Sequence, residues 1–530
     1  MRSQGSPVGE EWLPSAHGEE QSDLRQLVTR GVRWTLAEEW GRQLLSLLGF
    51  VVIARLVTPT DIGLVALAAV FVLFAQLLVD GGMGTALVQR RALSRAHVDT
   101  VFWTSLASGV ALAVLGVVLA IPLGFLFAEP RLTPILMVLS LSLVLTSLTS
   151  VQASLLRREL AQRSLAIRAL VAVSGGAIVG IVLAYGGLGA WALVAQQLTA
   201  ALLSVLTLWR VSPWRPGRLV SRVHFRELLS FGANIVGGNV VAFIGRRADN
   251  VLVAIYLGAT QLGLYAVAYR VVDAAQAMLS GMATGMALSA FSRLQGDRER
   301  LAGAFLRVNR VTSGLVMPGF LGLALISPEL IAVVFGPGWE GSGVVAALLF
   351  LIGVVYSIAL FSGAAFIAAG HPEVAFRLRL VTAIIHVLGS LIAVALFGSI
   401  VAVAAGYVLC GYLLLPLNLY WLQRYVGIPW RRYLLELRGV AAASLVMAGA
   451  VLTTRLVLVT TVDLPVLLAT EIAAGALVFL PALWLADRRL LGDIVGLVRG
   501  SLPGGRWKHA GGPTAPLPEF VKAIDPIGKR

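Results

Sequence analysis

The sequence predicts an all-α polytopic membrane protein with about 14 transmembrane helices. Of its 530 residues, 58% are hydrophobic and only 13% are charged, and the mean hydropathy of +0.86 exceeds what a soluble core needs. Apolar runs of about 20 residues, the length that crosses a bilayer, recur along the chain. Arginines gather in alternate loops between these runs, as expected for a protein that crosses the membrane many times.

The apolar runs define the expected domain organisation. The predicted spans are 37–57, 62–85, 101–128, 133–155, 166–185, 188–209, 229–257, 261–289, 309–336, 342–369, 380–398, 400–422, 438–456 and 465–486. We therefore expect a polar tail (1–30), an N-terminal six-helix lobe (31–210), a basic linker (211–228), a C-terminal six-helix lobe (229–424), an extra helix pair (425–490) and a second tail (491–530). The first tail lacks the central apolar segment of a signal peptide, so we do not predict one there.

Basic residues give the orientation, because short cytoplasmic loops collect arginine. One side receives the arginine groups that begin at Arg25, Arg90, Arg157, Arg210, Arg293, Arg377, Arg424 and Arg488. Turns on the other side, such as TPTD and GPGWEG, carry few basic residues, and Arg131 is the clearest exception. Both termini are therefore predicted to be cytoplasmic. The same asymmetry accounts for the +15 net charge without a nucleic-acid partner.

An internal repeat occurs at an offset of 200 residues. The segment ARLVTPTDIGLVALA, which starts at Ala54, aligns without gaps with AIYLGATQLGLYAVA, which starts at Ala254. The offset spans an even number of predicted helices, so both copies cross the membrane in the same direction. The repeat predicts two related lobes with a substrate cavity between them.

Charged residues inside predicted spans are the candidate functional residues. Arg246, Arg247 and Asp249 interrupt the apolar segment 240–258. Each would cost about 2.5 to 3.5 kcal/mol at the centre of a lipid-facing helix, so they require a polar interior site. Counting about 1.5 Å per residue from the turn LGAT places Arg247 and Arg270 about 15 Å deep, near the midplane.

Helical spacing predicts one deep polar cluster. It groups Arg246 with Asp249 and Asn250, and it groups Arg270 with Asp273. With Arg247, the cluster holds one more positive than negative charge, and guanidinium groups match phosphate oxygens well. A diphosphate headgroup is therefore a plausible ligand. The alternative is that these residues form structural ion pairs that lock two helices and bind no ligand.

Other charged positions allow two interpretations. Glu38 and Arg42, at positions i and i+4 with Glu39 beside them, lie at the cytoplasmic mouth of the first span and form either an interfacial ion pair or a coupling site. Asp80, near the cytoplasmic end of its span, is either a gate or an anchor. His386 is the only histidine in a predicted span, and a packed or hydrogen-bonded role is favoured over a proton relay.

The sequence lacks the motifs of ATP hydrolysis, zinc-dependent proteolysis and serine catalysis. The lysines, Lys508, Lys522 and Lys529, do not fit a Walker A sequence, and neither H-E-x-x-H nor G-x-S-x-G occurs. Cys410 is the single cysteine, so no intrachain disulfide forms. We predict no catalytic residue, no cofactor and no metal site.

The chain resembles the Wzx-type flippases of lipid-linked oligosaccharides. The resemblance rests on ARLVTPTDIGLVALAAVF with VDGGMGTALVQR, and on RRADNVLVAIYLGATQLGLYAVAYRV; it covers roughly residues 30–490. It implies a flippase of the bacterial cytoplasmic membrane that moves polyprenyl-diphosphate-linked oligosaccharides of exopolysaccharide or O-antigen type by alternating access. It also implies membrane lipids and polysaccharide polymerase or export machinery as partners.

The resemblance does not identify the energy source, and it does not decide between this family and related transporter families. The candidate coupling carboxylates are Glu38, Asp80, Asp249 and Asp273. The same superfamily includes lipid II flippases and multidrug extruders, and an extruder of cationic drugs should prefer a carboxylate-rich cavity. A membrane-embedded glycosyltransferase or polymerase is the alternative from another class, but it would need a sizeable external loop, which the predicted spans do not leave.

Overall fold

A computed structural model describes residues 21–492 of the chain, except residues 80, 91, 92, 293, 295 and 296. This part of the chain is entirely helical, without a β-strand. The α-helices are α1 (Gln21–Ala54), α2 (Pro59–Val79), α3 (Met83–Gln89), α4 (Arg95–Leu126), α5 (Leu132–Arg158), α6 (Gln162–Tyr185), α7 (Ala190–Val211), α8 (Arg222–Ser292), α9 (Arg298–Phe335), α10 (Glu340–Ala359), α11 (Ser362–Ala368), α12 (Pro372–Phe397), α13 (Ile400–Trp421), α14 (Trp430–Leu458) and α15 (Leu464–Ala486). A short π-helix, Leu422–Val426, follows α13.

The number of membrane-spanning segments agrees with the predicted class. Twelve helical segments in the described residues are long and apolar enough to cross a bilayer. One of them, Val236–Leu279, has 44 residues, or about 66 Å of helix, which is about twice the thickness of the hydrocarbon layer. It breaks at Gly258, so it accounts for two predicted spans. The all-α polytopic class is therefore confirmed.

Two of the differences from the predicted helix boundaries have a clear basis in the sequence. The predicted span 62–85 divides into α2 and α3, because Gly81 and Gly82 adopt positive φ angles of 55° and 75° that glycine tolerates and other residues avoid. Helix α1 begins at Gln21, inside the predicted tail 1–30. The apolar residues of this part of α1 follow helical spacing, a signal that the polar composition of the tail concealed. Residues 1–20 and 493–530 of the predicted tails lie outside the described residues.

The helices form two compact units that divide between Ala266 and Val267, within α8. In the first unit, α4 packs against α5, α1 and α7 pack against α6, and α5 also contacts α2 and α7. In the second unit, α10 packs against α9 and α13, and α12 packs against α13. The extra helix pair, α14 and α15, packs together and against α9. The division differs in position from the predicted linker 211–228, because the first half of α8 packs within the first unit.

The two copies of the internal repeat meet in the first unit through glycine. Gly63 of α2 lies against α8 so closely that a Cβ atom placed on it would stand 1.8 Å from the carbonyl oxygen of Ala259. Gly263 of α8 makes the reciprocal approach, because its Cβ would stand 1.8 Å from the carbonyl oxygen of Pro59. Only glycine permits two helices to cross at this distance.

A side-chain contact repeats the same symmetry. The hydroxyl oxygens of Thr60 and Thr260 lie 2.8 Å apart and share a hydrogen bond. Thr60 and Thr260 are equivalent positions in the repeat, as are Gly63 and Gly263. Residues of one copy therefore contact their own counterparts in the other, which is the pattern of a local two-fold axis.

An arginine-centred cluster fastens the extra helix pair to α9 at one end. Arg455 of α14 donates hydrogen bonds to Glu471 of α15 at 2.9 Å and to Glu329 of α9 at 2.5 Å. Glu471 is fully buried by the protein. Since a buried charge without its partner is strongly unfavourable, the cluster fixes how these three helices pack.

A second arginine fastens the same helices at the other end of α9. Arg310 of α9 forms ion pairs with Glu436 of α14, at 3.3 Å, and with Asp487, which follows α15. Burial opposes the ionisation of Asp487, but the hydrogen bonds from Arg310 and from the Leu490 N–H outweigh it and lower the pKa of this carboxyl. The helix pair is thus held by charge near both ends of α9.

The glycine crossing leads to a stability prediction. We expect Gly63→Ala to lower the free energy of unfolding by about 2 kcal/mol, because the added methyl group overlaps the Ala259 carbonyl. Thermal unfolding of the purified protein in detergent measures the change. Gly237→Ala on α8 is the matched control, since its Cβ meets nothing within 4 Å and alanine favours a helix over glycine by about 1 kcal/mol. Identical unfolding midpoints for Gly63→Ala and the wild type would contradict the close crossing.

The buried arginine cluster leads to a second prediction. We expect Arg455→Met to destabilise the protein by about 3 to 5 kcal/mol, because it leaves the buried carboxylate of Glu471 without its cation. Arg300→Met is the control, because its ion pair with Asp297, at 3.1 Å, is exposed and such pairs contribute at most about 1 kcal/mol. Both variants are compared by the same unfolding measurement. Equal destabilisation by the two substitutions would show that burial adds nothing to the Arg455 cluster.

Candidate functional site

The segment that carries the predicted arginines lies in the middle of α8. The backbone of Gly258 has φ 82° and ψ 175°, which breaks the helix at the predicted turn. Arg247 lies eleven residues before Gly258, or about 16 Å of helix. With Gly258 at the membrane surface, Arg247 therefore lies near the midplane of a layer about 30 Å thick.

Asp249 is anchored inside the first unit by hydrogen bonds. Its side chain is buried; Oδ2 accepts a hydrogen bond from the Tyr265 hydroxyl at 2.8 Å, and Oδ1 accepts one from the backbone N–H of Asn250 at 2.8 Å. Tyr265 is fully buried and lies two residues after Gly263, so the glycine crossing positions the donor. Both carboxylate oxygens are thus engaged by groups of α8 itself.

The neighbouring predicted residues occupy different environments. Arg246 is exposed at the surface of the first unit, and the described residues show no ion pair between it and Asp249. The Arg246–Asp249 ion pair of the alternative interpretation is thus not seen in this part of the structure, where Asp249 accepts a hydrogen bond from Tyr265, and the binding role of these residues stays a prediction. Arg247 is half-buried and interacts with neighbouring groups, and Asn250 is buried beside Asp249.

Arg270 and Asp273 belong to the second unit. Both side chains are half-buried and both interact with other groups. Arg270 follows Gly258 by twelve residues, or about 18 Å of helix, which again corresponds to mid-depth. Whether Arg270 approaches Arg246 and Arg247 in a single cationic cavity stays a prediction.

The acidic residues at the start of α1 line a cavity of about 280 Å³. Its lining consists of Glu38, Glu39, Arg157, Gln162, Leu165 and Arg168. Arg42 forms its ion pair with Glu39, at 2.6 Å, and not with Glu38 as the spacing predicted. Glu38 instead lines the same cavity as Arg168 of α6. The other carboxylate candidate, Asp80, lies outside the described residues.

A larger cavity of about 500 Å³ occurs in the first unit. It is lined by Leu93, Ser94, Arg95, Val98, Leu155, Arg158, Glu159, Pro213, Trp214 and Arg215. Two of its arginines are already bound to backbone carbonyl groups: Arg158 donates to Leu87 at 3.0 Å, and Arg215 donates to Trp214 at 2.8 Å. Neither of these two cavities is lined by the mid-depth arginines of α8.

Sequence analysis missed three contributors to these sites. Arg168 was detectable as a charge just inside the predicted span 166–185. Asp61 binds Arg131 at 2.6 Å, which explains the basic exception on the otherwise arginine-poor side of the membrane. Tyr265 was not identifiable from the sequence, because a tyrosine in an apolar helix is expected to be a packed core residue. Its counterpart in the first repeat is Val65, so the hydroxyl occurs in one copy only.

Two predictions for uncharged groups agree with the structure. His386 is buried and its ring stacks on Tyr407 with 4.3 Å between ring centroids, as expected for a packed histidine. Cys410 is buried, and its thiol lies 3.5 Å from the Ile385 carbonyl oxygen. Both side chains therefore have a structural explanation in the second unit.

Comparison with known proteins finds similar sequences in bacterial polysaccharide pathways. The chain is 29% identical over 324 residues to the succinoglycan biosynthesis transport protein ExoT of Rhizobium meliloti, which covers 61% of this chain and 66% of that protein. It is 24% identical over 359 residues to the lipopolysaccharide biosynthesis protein WzxC of Escherichia coli, covering 67% of this chain and 73% of that protein. The matches thus span about two thirds of each relative.

The fold and the family agree with these similarities. The structure resembles the lipid II flippase MurJ in an inward closed conformation, with a TM-score of 0.67, 16% identity, and coverage of 87% of this chain and 100% of that one. At this identity the likeness shows the fold alone. Residues 52–344 match the family described as polysaccharide biosynthesis protein. Since that match covers more than half of the sequence, the chain belongs to the polysaccharide biosynthesis protein family.

Proposed function

We propose that this protein is a flippase that moves polyprenyl-diphosphate-linked oligosaccharides from the inner to the outer leaflet of a bacterial cytoplasmic membrane. It acts by alternating access, and it is a transporter without catalytic residues. Both termini lie in the cytoplasm, where the arginine-rich loops are retained. The oligosaccharide on the outer leaflet is then available to polysaccharide polymerase or export machinery.

Membership of the family and the names of the relatives support a lipid-linked glycan as the substrate class. ExoT is named as a transport protein of succinoglycan biosynthesis, and WzxC as a protein of lipopolysaccharide biosynthesis. Succinoglycan and lipopolysaccharide are different glycans. The feature that such substrates share is the anionic lipid carrier, so recognition of the carrier headgroup is the property that we assign to this chain.

The observation that carries the proposal is the exposure of Arg246, one of two adjacent arginines of α8 that the sequence places at mid-depth. Arg246 is exposed at the surface of the first unit although its position in the sequence is inside a predicted span. An exposed guanidinium group in contact with lipid tails would be costly, so a water-filled or anion-occupied space beside it is favoured. Arg247, the next residue along α8, would add to the positive potential of that space, and the sequence predicts Arg270 at a similar depth.

The positive charge serves the translocation step. A diphosphate that crosses a layer of low dielectric constant loses its hydration, and guanidinium groups replace water as hydrogen-bond donors. The glycan and headgroup pass through the protein while the lipid tail remains in the bilayer. Phosphate binding by arginine is independent of the sugars, so one site can accept repeat units of different composition.

Coupling to an ion or to the membrane potential is assigned to a carboxylate. Glu38 suits this role, because it faces a cavity and an arginine, Arg168, on another helix. Asp249 fits it less well, because both of its oxygens accept hydrogen bonds within α8. Asp80, Asp273 and the Arg42–Glu39 pair remain further candidates.

The alternatives predict different substrates. A multidrug extruder would bind organic cations, which the arginines of α8 disfavour, and a lipid II flippase would bind a related diphosphate with a different glycan. A membrane-embedded polymerase would need an external catalytic loop. On the predicted external side the connections between described helices are short, such as 127–131 and 459–463, so we do not favour this class.

The proposal predicts that the mid-depth arginines determine the transport rate. We expect the double variant Arg247→Ala/Arg270→Ala to lower translocation at least about tenfold, which corresponds to about 1.4 kcal/mol of lost headgroup stabilisation. The measurement is the flipping of a short polyprenyl-diphosphate oligosaccharide in proteoliposomes at matched protein content. Arg247→Lys should give an intermediate rate, because lysine keeps the charge but loses the bidentate fork.

Two controls separate transport from folding. Arg300→Ala removes an exposed arginine from the first turn of α9 and should leave translocation unchanged. The thermal midpoint of each variant shows whether a lower rate reflects a less stable protein. Wild-type translocation in the folded double variant would eliminate the proposed headgroup role, and transport of organic cations in its place would support the extruder.

A further inference from the structure

A cluster of three potential metal ligands joins the beginnings of two helices in the first unit. His97 is the third residue of α4, His224 is the third residue of α8, and Glu227 lies one turn after His224. One ligand atom from each of the three residues lies within 4.8 Å of the others. Sequence spacing predicts no metal site here, because the two histidines are far apart in the chain.

The histidine rings present nitrogen atoms that the protein does not use. The rings stack with 3.8 Å between their centroids. His97 is only 6% exposed, and neither its Nε2 nor the Nδ1 of His224 has a hydrogen-bond partner among the described residues. Buried polar atoms normally have partners, so two adjacent exceptions indicate a missing ligand.

Neighbouring groups hold the possible ligands in suitable orientations. His97 Nδ1 lies 2.5 Å from the Ser94 hydroxyl oxygen and accepts a hydrogen bond from the Ser94 backbone N–H at 3.3 Å, which fixes the orientation of the ring. Metal binding at Nε2 moves the ring proton to Nδ1, which then donates to the Ser94 hydroxyl oxygen. Arg90 donates to Glu227 Oε1 at 2.7 Å, and Oε2 of the same carboxylate faces His224 Nδ1 at 3.9 Å. Such outer hydrogen bonds are typical of metal-binding histidines and carboxylates.

Binding requires the ligand atoms to move closer together. They lie within 4.8 Å of one another, whereas nitrogen and oxygen ligands about 2.0 to 2.2 Å from Zn²⁺ in a tetrahedral site are roughly 3.4 Å apart. The stacked histidine rings must also tilt, so that their in-plane lone pairs converge on one ion. Glu227 has a 50% exposed side chain near the beginning of α8.

We infer that His97, His224 and Glu227 form a binding site for a divalent first-row transition-metal ion, of which Zn²⁺ is the probe ion. Two imidazoles and one carboxylate favour such an ion over Mg²⁺ or Ca²⁺, which prefer oxygen ligands. Three protein ligands leave one position for water. The bound ion joins the start of α4 to the start of α8, which the chain otherwise connects through α5, α6 and α7.

The test is a direct binding measurement on the full-length protein. The protein is purified with a tag other than polyhistidine, treated with a chelator and titrated with Zn²⁺ by calorimetry. We expect the wild type to bind one ion at the cluster, and we expect His97→Ala/His224→Ala to lose this binding. Glu227→Gln should weaken it at least about tenfold.

Matched controls make the outcome unambiguous. His371→Ala removes another histidine beside a glutamate, at 3.1 Å from Glu373, and should bind Zn²⁺ as the wild type does. His224→Ala alone replaces a half-buried side chain at a helix start, so it keeps the test valid should the double variant fail to fold. Visible absorption of bound Co²⁺ should report tetrahedral coordination in the wild type and be lost in His224→Ala. Absence of binding in the wild type, or unchanged binding or Co²⁺ absorption in a folded histidine variant, overturns the site.

Discussion

A charge held inside an apolar layer needs a polar partner, and this constraint organises the protein. Arg455 binds carboxylates from two other helices of the second unit. Asp249 accepts a hydrogen bond from the hydroxyl of Tyr265 across the break in α8. Since each of these bonds joins separate helical segments, the few charged residues help to determine which segments pack together.

The glycine crossing connects the packing of the first unit to its candidate site. Gly263 lies against α2, and two residues later Tyr265 reaches back along α8 to Asp249. Because Asp249 is drawn inward by this bond, Arg246, three residues earlier on the helix, is left without it as a partner. The glycine crossing, the Tyr265–Asp249 hydrogen bond and the exposed Arg246 thus lie in one connected part of the first unit.

Much of the fold was predictable because burial in lipid acts on each helix separately. The lengths of the apolar runs predicted the spans. The resulting alternation of loops placed Arg131 on the same side of the membrane as Asp61, with which it forms an ion pair in the structure. Bonds between distant helices were not predictable in this way. Arg42 forms its ion pair with Glu39, and Glu38 lines a cavity with Arg168 of another helix. The histidine cluster was invisible for the same reason, because its members meet only after α4 and α8 have packed.

The hydrogen bond between Thr60 and Thr260 has an implication for the origin of the chain. Residues that meet their own counterparts are what two identical subunits bring together in a symmetric dimer. Gene duplication and fusion would preserve such a contact while leaving the surrounding side chains to diverge. Gly49 occupies the position that corresponds to Asp249, so the two halves have already diverged in polarity at this point of the repeat.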